Sequence, residues 1–540
     1  MMYTTLAIAA LAGAAAARQC LNVTVPVQVS ARNGVFNLAT PVTNIDVTNF
    51  ILDLTQQGTN YSANILEGYQ TVTGNYTIAA TYCHPDSGPS NVVQILTHGI
   101  GFDRSYWDLS FNNYNYSYVQ TAVDEYGYST FSWDRLGVGA SSHGEPVNEI
   151  QALLEVDALR ALTMNLRLGT IPGVSHKFCK ILHTGHSFGA QHSYALTAMY
   201  PTISDGIALT GFSQNGTFVP WFALGSGFVQ ANSIDALSAF PNGYLAPGLP
   251  TGGQIDFFSP GQFDPEILAL AASTGQPVTV GELLTFGGEV GSINNFAGPT
   301  LIITGNRDIP YCGGNCLAPP TGYSSIPATS VNFIPNAKAF EVVIVPNAGH
   351  GLNLEYSHPF TYATINNYFG QNGVAANATC PSGSAFPSVS ASVSATQVSA
   401  ASASTASSLN VSSASGTSAS SASSVPSVSA SVSASHVSAA SASTASSFNV
   451  SSASGTSAPS ASSVPSVSAS VSASQVSAAS ASTASSFNIS SASGTSAPSA
   501  SSGASSYPIS APSGAGRRPS YAGPRQSGVR NHGWYEDGRA

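Results

Sequence analysis

Between residues 91 and 368, short apolar runs alternate with stretches whose apolar residues recur at the spacing of a helix. The short runs predict buried strands at 91–97, 126–133, 178–184, 207–210, 300–304 and 340–345. The intervening pattern predicts helices at 147–167, 188–200 and 359–368. Strands that alternate with helices indicate an α/β fold, in which a mostly parallel sheet is covered by helices on both faces.

The stretch from about residue 213 to 298 interrupts this alternation and is predicted to be an inserted cap. It is rich in glycine, leucine and aromatic residues. Large aromatic side chains in a cap suit an apolar pocket for an acyl group, although they also simply pack the cap's interior. The residues concerned are Phe212, Phe218, Trp221, Phe222, Phe228, Phe257, Phe258 and Phe263.

Composition divides the chain into three parts. Residues 1–17 are apolar and alanine-rich, and they end in three alanines before Arg18. This stretch is too short to span a membrane and is typical of a secretory signal peptide. Residues 18–380 contain nearly all the aromatic and charged residues and are long enough for one large domain with an insertion.

The third part, residues 381–540, consists mainly of Ser, Ala, Thr, Val and Pro. A near-exact repeat begins at Pro387, Pro426 and Pro465. The repeats lack the large apolar residues that a folded array needs to offset the entropy of ordering. We therefore expect a disordered, low-complexity tail of the O-glycosylated stalk type, which is a candidate for association with a cell wall.

Cysteines and glycosylation acceptors are typical of an exported protein. The six cysteines are an even number, which suits disulfides formed in an oxidising compartment, and their pairing stays open. We therefore expect an extracellular protein, either secreted into the medium or associated with the cell wall. The domain contains Asn-x-Ser/Thr acceptors at Asn22, Asn60, Asn75, Asn115, Asn215 and Asn377.

Charge and hydropathy exclude two classes of partner. The chain has 25 acidic and 15 basic residues, and the acidic excess lies before residue 381. An acidic domain does not suit a nucleic-acid substrate. Beyond residues 1–17 no apolar run is long enough for a membrane span, so we expect no stable membrane insertion.

The most informative motif is Gly-His-Ser-Phe-Gly at 185–189, directly after the strand predicted at 178–184. A sharp turn from a strand to a helix needs glycines on both sides, because a Cβ atom there would collide with either element. Such a turn exposes the hydroxyl of Ser187 at the carboxyl end of the sheet. We therefore predict that Ser187 is the nucleophile of an acyl-transfer reaction.

An acid and a histidine follow Ser187 at the ends of later strands. Asp308 comes shortly after the strand at 300–304, and His350 comes shortly after the strand at 340–345. Acids in such places are often helix caps and loop histidines are often merely solvated, but the order serine, acid, histidine is that of a catalytic triad. We predict His350 as the general base and Asp308 as the residue that orients it.

The loop at 98–101, His-Gly-Ile-Gly, follows the first predicted strand of the alternating region and should cross near the nucleophile. The backbone amides of Ile100, Gly101 and Phe188 are predicted to form an oxyanion hole, worth about 3 kcal/mol per donor. We interpret His98 as a structural residue that stabilises this loop.

Residues from about 90 to 370 resemble the α/β-hydrolase superfamily, in the broad group with a His-Gly oxyanion loop and a helical cap. The segment Asp-Arg-Leu-Gly-Val-Gly-Ala-Ser at 134–141 is similar to the Asp-x-Arg-Gly-x-Gly-x-Ser loop of that group, with the arginine one place early. The resemblance implies the same triad that the strand ends indicate, and it makes Asp134 and Arg135 parts of the scaffold. A secreted form with a Ser/Ala-rich tail is similar to extracellular fungal members.

The leading function is hydrolysis of a carboxylic ester, with a small-molecule or lipid-like apolar substrate. Ser187 argues against the epoxide hydrolases and dehalogenases of this fold, which use an aspartate nucleophile. Thioester, lactone and carbon–carbon bond hydrolysis, acyl transfer and cofactor-free haloperoxidation stay open, because they use the same triad. A catalytically silent cell-wall or adhesion protein is an alternative of another class, and the intact order of the triad argues against it.

We expect no cofactor and no metal. Cys312 and Cys316 are close in sequence, but no further ligand residues lie at a suitable spacing. Gly313 and Gly314 between them allow a small ring to close. A Cys312–Cys316 disulfide is therefore predicted to brace the loop that contains Asp308.

Overall fold

The alternation of strands and helices is present in the computed structural model, which describes residues 18–380. The signal peptide predicted at 1–17 and the tail predicted at 381–540 lie outside the described residues. The strands are β1 (Gln19–Phe36), β2 (Leu66–His84), β3 (Val92–Thr97), β4 (Ser129–Trp133), β5 (Lys180–His186), β6 (Gly206–Thr210), β7 (Phe228–Gln230), β8 (Tyr244–Pro247), β9 (Val278–Thr279), β10 (Thr300–Gly305) and β11 (Phe340–Val345).

Helices of the described part differ widely in length. They are α1 (Asn44–Leu54), α2 (Tyr61–Ile65), α3 (Phe111–Tyr114), α4 (Tyr118–Gln120), α5 (Ala152–Leu168), α6 (Phe188–Met199), α7 (Val219–Gly225), α8 (Pro250–Phe257), α9 (Pro265–Ser273), α10 (Val280–Thr285), α11 (Ile309–Cys312) and α12 (His358–Gln371). Short 3₁₀ turns lie at Arg104–Trp107, Ala231–Ser233, Asp235–Leu237, Gly288–Val290, Pro327–Phe333 and Leu352–Leu354.

One central sheet contains eight strands in the order β1-β2-β4-β3-β5-β6-β10-β11. All neighbours from β4 to β11 run parallel, whereas β1, β2 and β4 are antiparallel to one another in turn. The prediction of a mostly parallel sheet is confirmed. The carboxyl ends of β3, β5, β10 and β11, which precede the predicted site residues, therefore lie at the same edge.

Helices cover both faces of this sheet, as predicted. Val93 and Ile95 of β3 belong to the apolar cluster that contains α5, whereas Val92 and Leu96 belong to the cluster that contains α12. Successive side chains of a strand point to opposite faces, so a strand covered on both sides contributes apolar residues to both faces. Every residue of β3 is buried.

Two elements begin three or more residues later than predicted. β4 begins at Ser129 rather than at residue 126, because Thr121–Glu125 forms a π-helical turn and Gly127 takes a positive φ of 75°. α5 begins at Ala152 rather than at residue 147, because the carboxylate of Glu145 accepts backbone hydrogen bonds that stabilise a turn before it.

In the first part of the domain, for which no element was predicted, β1 and β2 form an antiparallel pair, with α1 and α2 between them in the chain. Its register pairs Cys20 with Cys83, and a disulfide joins the two. The valines at 23, 25, 27 and 29 are buried and alternate with exposed residues. That period of two was the signal for a strand.

The segment at about 213–298 lies between β6 and β10. It contains α7, α8, α9 and α10, and also a second sheet in the order β7-β8-β9. The segment is thus mixed helix and strand, whereas the family resemblance implied a helical cap.

All six cysteines are paired. Besides Cys20–Cys83, the disulfides are Cys179–Cys380 and Cys312–Cys316. The predicted disulfide in the Asp308 loop is therefore confirmed. Within residues 18–380, no helix combines the length and apolar character needed to cross a membrane.

Candidate active site

Ser187 lies at the sharp turn between β5 and α6. Its backbone has φ 55° and ψ −117°, a strained conformation for a residue with a side chain. A Cβ atom on Gly185 would lie 2.2 Å from the carbonyl oxygen of Gly189, and one on Gly189 would lie 2.3 Å from that of Thr97. Both glycines are thus sterically required, and the turn presents Ser187 at the carboxyl edge of the sheet.

Asp308 and His350 come together from the loops after β10 and β11. Nδ1 of His350 lies 2.8 Å from Oδ2 of Asp308. The same carboxylate accepts hydrogen bonds from the hydroxyl of Thr304 at 2.5 Å and from the backbone N–H of Tyr311 at 2.9 Å. A carboxylate with this many donors is fixed as a hydrogen-bond acceptor for the imidazole.

His350 also lies against the turn that contains Ser187. The ring of His186, the residue before the serine, is 4.8 Å from the ring of His350. Nε2 of His350 is buried and has no hydrogen-bond partner in the described part of the chain. The imidazole therefore has one nitrogen bonded to Asp308 and the other free for a proton transfer.

The predicted oxyanion loop contacts the nucleophile directly. A Cβ atom on Gly99 would lie 2.8 Å from Cβ of Ser187. Within residues 18–380, no acceptor is bonded to the backbone N–H groups of Ile100, Gly101 or Phe188. Unpaired N–H groups at the start of a helix and in the facing loop are suited to stabilising a negatively charged oxygen.

His98 stabilises this loop rather than taking part in proton transfer. Its Nδ1 lies 2.8 Å from the carbonyl oxygen of Gly99, and its Nε2 accepts the backbone N–H of Arg135 at 3.1 Å. Burial lowers the pKa of His98 well below the usual range, so the ring is neutral. Asp134 likewise acts as a brace, since its Oδ2 accepts the N–H of Ala140 at 3.0 Å.

Arg135 lies at the centre of a buried charged cluster behind the nucleophile turn. Its guanidinium donates to Glu155 of α5 at 2.8 Å and to Glu282 of α10, and it lies 4.9 Å over the ring of Phe188. Burial raises the pKa of each glutamate to about 7. Arg135 thus joins the inserted segment to the turn that contains Ser187.

Two further residues beside the serine were not predicted. Tyr311 lies three positions after Asp308, and its hydroxyl accepts a hydrogen bond of 2.8 Å from the side chain of Gln191. Gln191 lies one helical turn after Ser187, so its spacing from the nucleophile was the available signal.

The inserted segment closes over these groups. The ring of Phe257 stacks at 5.6 Å from His350 and contacts Phe102 at 4.9 Å. Ser187 is only 6% exposed and His350 only 1% exposed. The surroundings of the site are therefore apolar and largely closed to solvent.

Three solved structures illustrate what the chain is similar to. An esterase from Thermogutta terrifontis has 16% identity, with 55% of this chain and 94% of that chain covered and a TM-score of 0.38. An enol-lactonase from Burkholderia xenovorans LB400 has 14% identity, coverage of 55% and 97%, and a TM-score of 0.37. A monoacylglycerol lipase from Paleococcus ferrophilus has 12% identity, coverage of 52% and 95%, and a TM-score of 0.34. Likenesses this distant say nothing about the substrate.

Sequence comparison gives the family. No curated protein matches the chain. The alpha/beta hydrolase family matches residues 94–364, which is just over half of the 540 residues and includes Ser187, Asp308 and His350. The protein belongs to the alpha/beta hydrolase family.

Proposed function

We propose that the protein is a secreted serine hydrolase that cleaves carboxylic esters through an acyl-enzyme. Family membership supports a hydrolase. The observation that supports a serine nucleophile with a histidine base is the hydrogen bond between Asp308 and His350 beside the Ser187 turn. Nε2 of His350 has no hydrogen-bond partner among the described residues. A nucleophile, a base and a residue that orients the base are the parts that acyl transfer needs.

In the first half of the reaction, His350 accepts the proton of the Ser187 hydroxyl through Nε2. The serine oxygen attacks the ester carbonyl, and the carbonyl oxygen becomes negatively charged. The N–H groups of Ile100 and Phe188, with Gly101 as a further donor, stabilise that charge. His350 then protonates the departing alcohol, which leaves an acyl group on Ser187.

In the second half, His350 accepts a proton from water, and the resulting hydroxide attacks the acyl carbonyl. The bond from the carbonyl carbon to the serine oxygen breaks, and His350 returns the proton to that oxygen. The carboxylic acid leaves. Asp308 keeps Nδ1 of His350 protonated throughout and stabilises the imidazolium.

An apolar acyl group suits the walls of the site. Phe257 and Phe102 lie against the base, and Phe222 contacts Phe257 and Phe286 at ring distances of 6.4 Å. The inserted segment supplies three of these four rings and would act as the cap of the pocket. These apolar walls favour an ester with a hydrophobic acyl chain over a charged or strongly polar one.

Secretion is proposed from the predicted signal peptide at 1–17 together with the complete disulfide pairing of residues 18–380. The repeats at 381–540 are proposed as a spacer for association with a cell wall. Exposed acceptors at Asn22, Asn75, Asn115 and Asn377 suit glycosylation during export.

The alternatives that use the same triad differ in the bond that is cleaved. A panel of p-nitrophenyl esters of graded acyl length, with a thioester and a lactone of matched size, tests the proposal on the full secreted protein. We expect the highest kcat/KM for an oxygen ester with an acyl chain of intermediate or long length. Faster turnover of the thioester or lactone would favour that chemistry, and no turnover of any of them would favour a silent binding protein.

A further inference from the structure

The side chain of Tyr311 connects the acid loop to the nucleophile. Its hydroxyl accepts a hydrogen bond of 2.8 Å from Gln191, one helical turn after Ser187, and lies on the side of the Ser187 side chain. Its ring is 5.7 Å from the ring of His350. The residue is 1% exposed. Burial and the neighbouring Asp308 raise the pKa of Tyr311 well above its usual value, so the phenol keeps its proton.

The direction of the hydrogen bonds follows from Gln191. The backbone N–H of Gly287 donates to Oε1 of Gln191 at 3.1 Å, which fixes the amide with its Nε2 toward Tyr311. Nε2 can only donate, so the phenol oxygen of Tyr311 is an acceptor in that bond. The phenol hydrogen is therefore free to point toward Ser187.

We propose that Tyr311 donates a hydrogen bond to the side-chain oxygen of Ser187 and so favours release of the acyl group. This inference rests on the proposed acyl-enzyme function. Tyr311 acts through the nucleophile oxygen and exchanges no proton during the reaction.

The two halves of the reaction depend on this bond to different degrees. The oxygen of a free serine hydroxyl accepts hydrogen bonds well, so a bond from Tyr311 forms equally readily before acylation and gives little advantage there. In the acyl-enzyme the same oxygen is the alkoxy oxygen of an ester, which accepts hydrogen bonds poorly. As the bond to the carbonyl carbon breaks, negative charge grows on that oxygen and the hydrogen bond strengthens. A contact that strengthens only in the transition state accelerates that step.

A purely structural role for Tyr311 can be separated from this one. Its backbone N–H donates to Asp308 at 2.9 Å, and that bond is independent of the phenol. Tyr311→Phe removes only the hydroxyl and keeps both the ring and the backbone bond. Tyr128→Phe is the matched control, because Tyr128 is equally buried and its hydroxyl donates to the carbonyl of Val374, away from the site.

Stopped-flow kinetics with p-nitrophenyl acetate measure acylation from the burst and deacylation from the steady state. For Tyr311→Phe we expect deacylation to slow about tenfold, the effect of one lost hydrogen bond. KM should fall together with kcat, and kcat/KM and the rate of labelling by a fluorophosphonate should stay within about threefold of wild type. Tyr128→Phe should change neither half of the reaction.

Equal loss of kcat and kcat/KM in Tyr311→Phe, or unchanged deacylation, would overturn the inference. A slow fluorophosphonate reaction would also overturn it, because it would mean that the nucleophile itself is damaged. Ser187→Ala separates this failure from that of the proposed function. If Ser187→Ala abolishes turnover while Tyr311→Phe deacylates normally, only the role of Tyr311 is wrong.

Discussion

Nδ1 of His350 lies 2.8 Å from Oδ2 of Asp308, and both side chains are buried. The acid is separated from the histidine by 42 positions in the sequence, and the parallel pairing of β10 with β11 brings the two loops together. This contact fixes which nitrogen of the imidazole faces the nucleophile. The proposed mechanism depends on it.

Asp308→Asn should therefore impair catalysis far more than folding. The amide keeps the shape of the side chain but favours the wrong tautomer of His350. We expect kcat to fall by about 10⁴, by analogy with the same change in other triads. Steady-state ester hydrolysis, with circular dichroism as the folding control, tests this, and a kcat within tenfold of wild type would exclude Asp308 as the orienting acid.

The Cys312–Cys316 disulfide should matter more for activity than for stability. It closes a very small loop, so it restricts the unfolded chain little. Within that loop the N–H of Gly314 donates to the carbonyl of Asp308 at 2.8 Å, so movement of the loop would move the acid. Replacing both cysteines by serine should lower kcat several-fold and Tm by no more than about 3 °C.

The Cys20–Cys83 pair is the matched control, because it joins β1 and β2 at the far edge of the sheet and closes 63 residues. Its double serine variant should lower Tm while kcat at 25 °C stays unchanged. If the two double variants behave alike, the loop disulfide has no special role in positioning Asp308.

Stability should decline as pH rises above neutrality. Burial raises the pKa of Glu289 to about 8, and burial together with repulsion from Glu155 raises the pKa of Glu282 to about 7. Above pH 6.5 these carboxyls are ionised in the unfolded chain but still bind protons in the folded protein. The folded state then binds more protons than the unfolded state, so the free energy of unfolding falls with pH, by up to about 1.4 kcal/mol per pH unit for each proton.

Buried histidines act in the opposite direction at lower pH. Burial lowers the pKa values of His183 and His192 to about 3, so their protonation destabilises the folded state below pH 6.5. Tm should accordingly peak near neutrality and decline between pH 7 and 8.5. Glu289→Gln should reduce that decline; a Tm that is flat or rising over this range in the wild type would contradict the raised pKa values.

Removing the tail should leave the enzyme intact. Deletion of residues 386–540 keeps Cys380, whose disulfide to Cys179 closes the described domain. We expect kcat and Tm to stay close to those of the full chain. A truncation that also removes Cys380 is the control and should lower Tm; a fall of more than a few degrees in the longer fragment would mean that the tail packs on the domain.

The parallel part of the fold was predictable because its strands are short, buried and mostly apolar runs that alternate with helices. β3 and β10, for example, are buried along their whole length, and strands of this kind are clear in a sequence. The β1–β2 pair was missed although the valines of β1 alternate, because α1 and α2 separate the two strands in the chain and no local motif marks where they pair. The sheet β7-β8-β9 was missed because its strands are only two to four residues long.

The site was predictable where it depends on motif and strand order. Glycines around Ser187 and the positions of Asp308 and His350 after strands are local features of the sequence. Tyr311 and Gln191 meet only because α6 packs beside the loop after β10, and nothing local to either residue indicates that contact. The pairing of Arg135 with Glu282, separated by 147 positions, likewise depends on how the inserted segment packs.

Covalent labelling tests the central claim most directly. The full secreted protein is treated with a fluorophosphonate and digested, and the modified peptide is identified by mass spectrometry. We expect one adduct, on Ser187, with ester hydrolysis lost in proportion to labelling. Ser187→Ala should take up no label, keep its Tm and lose on the order of 10⁶ in kcat. An adduct at another residue, or a Ser187→Ala variant whose kcat stays within tenfold of wild type, would contradict the account.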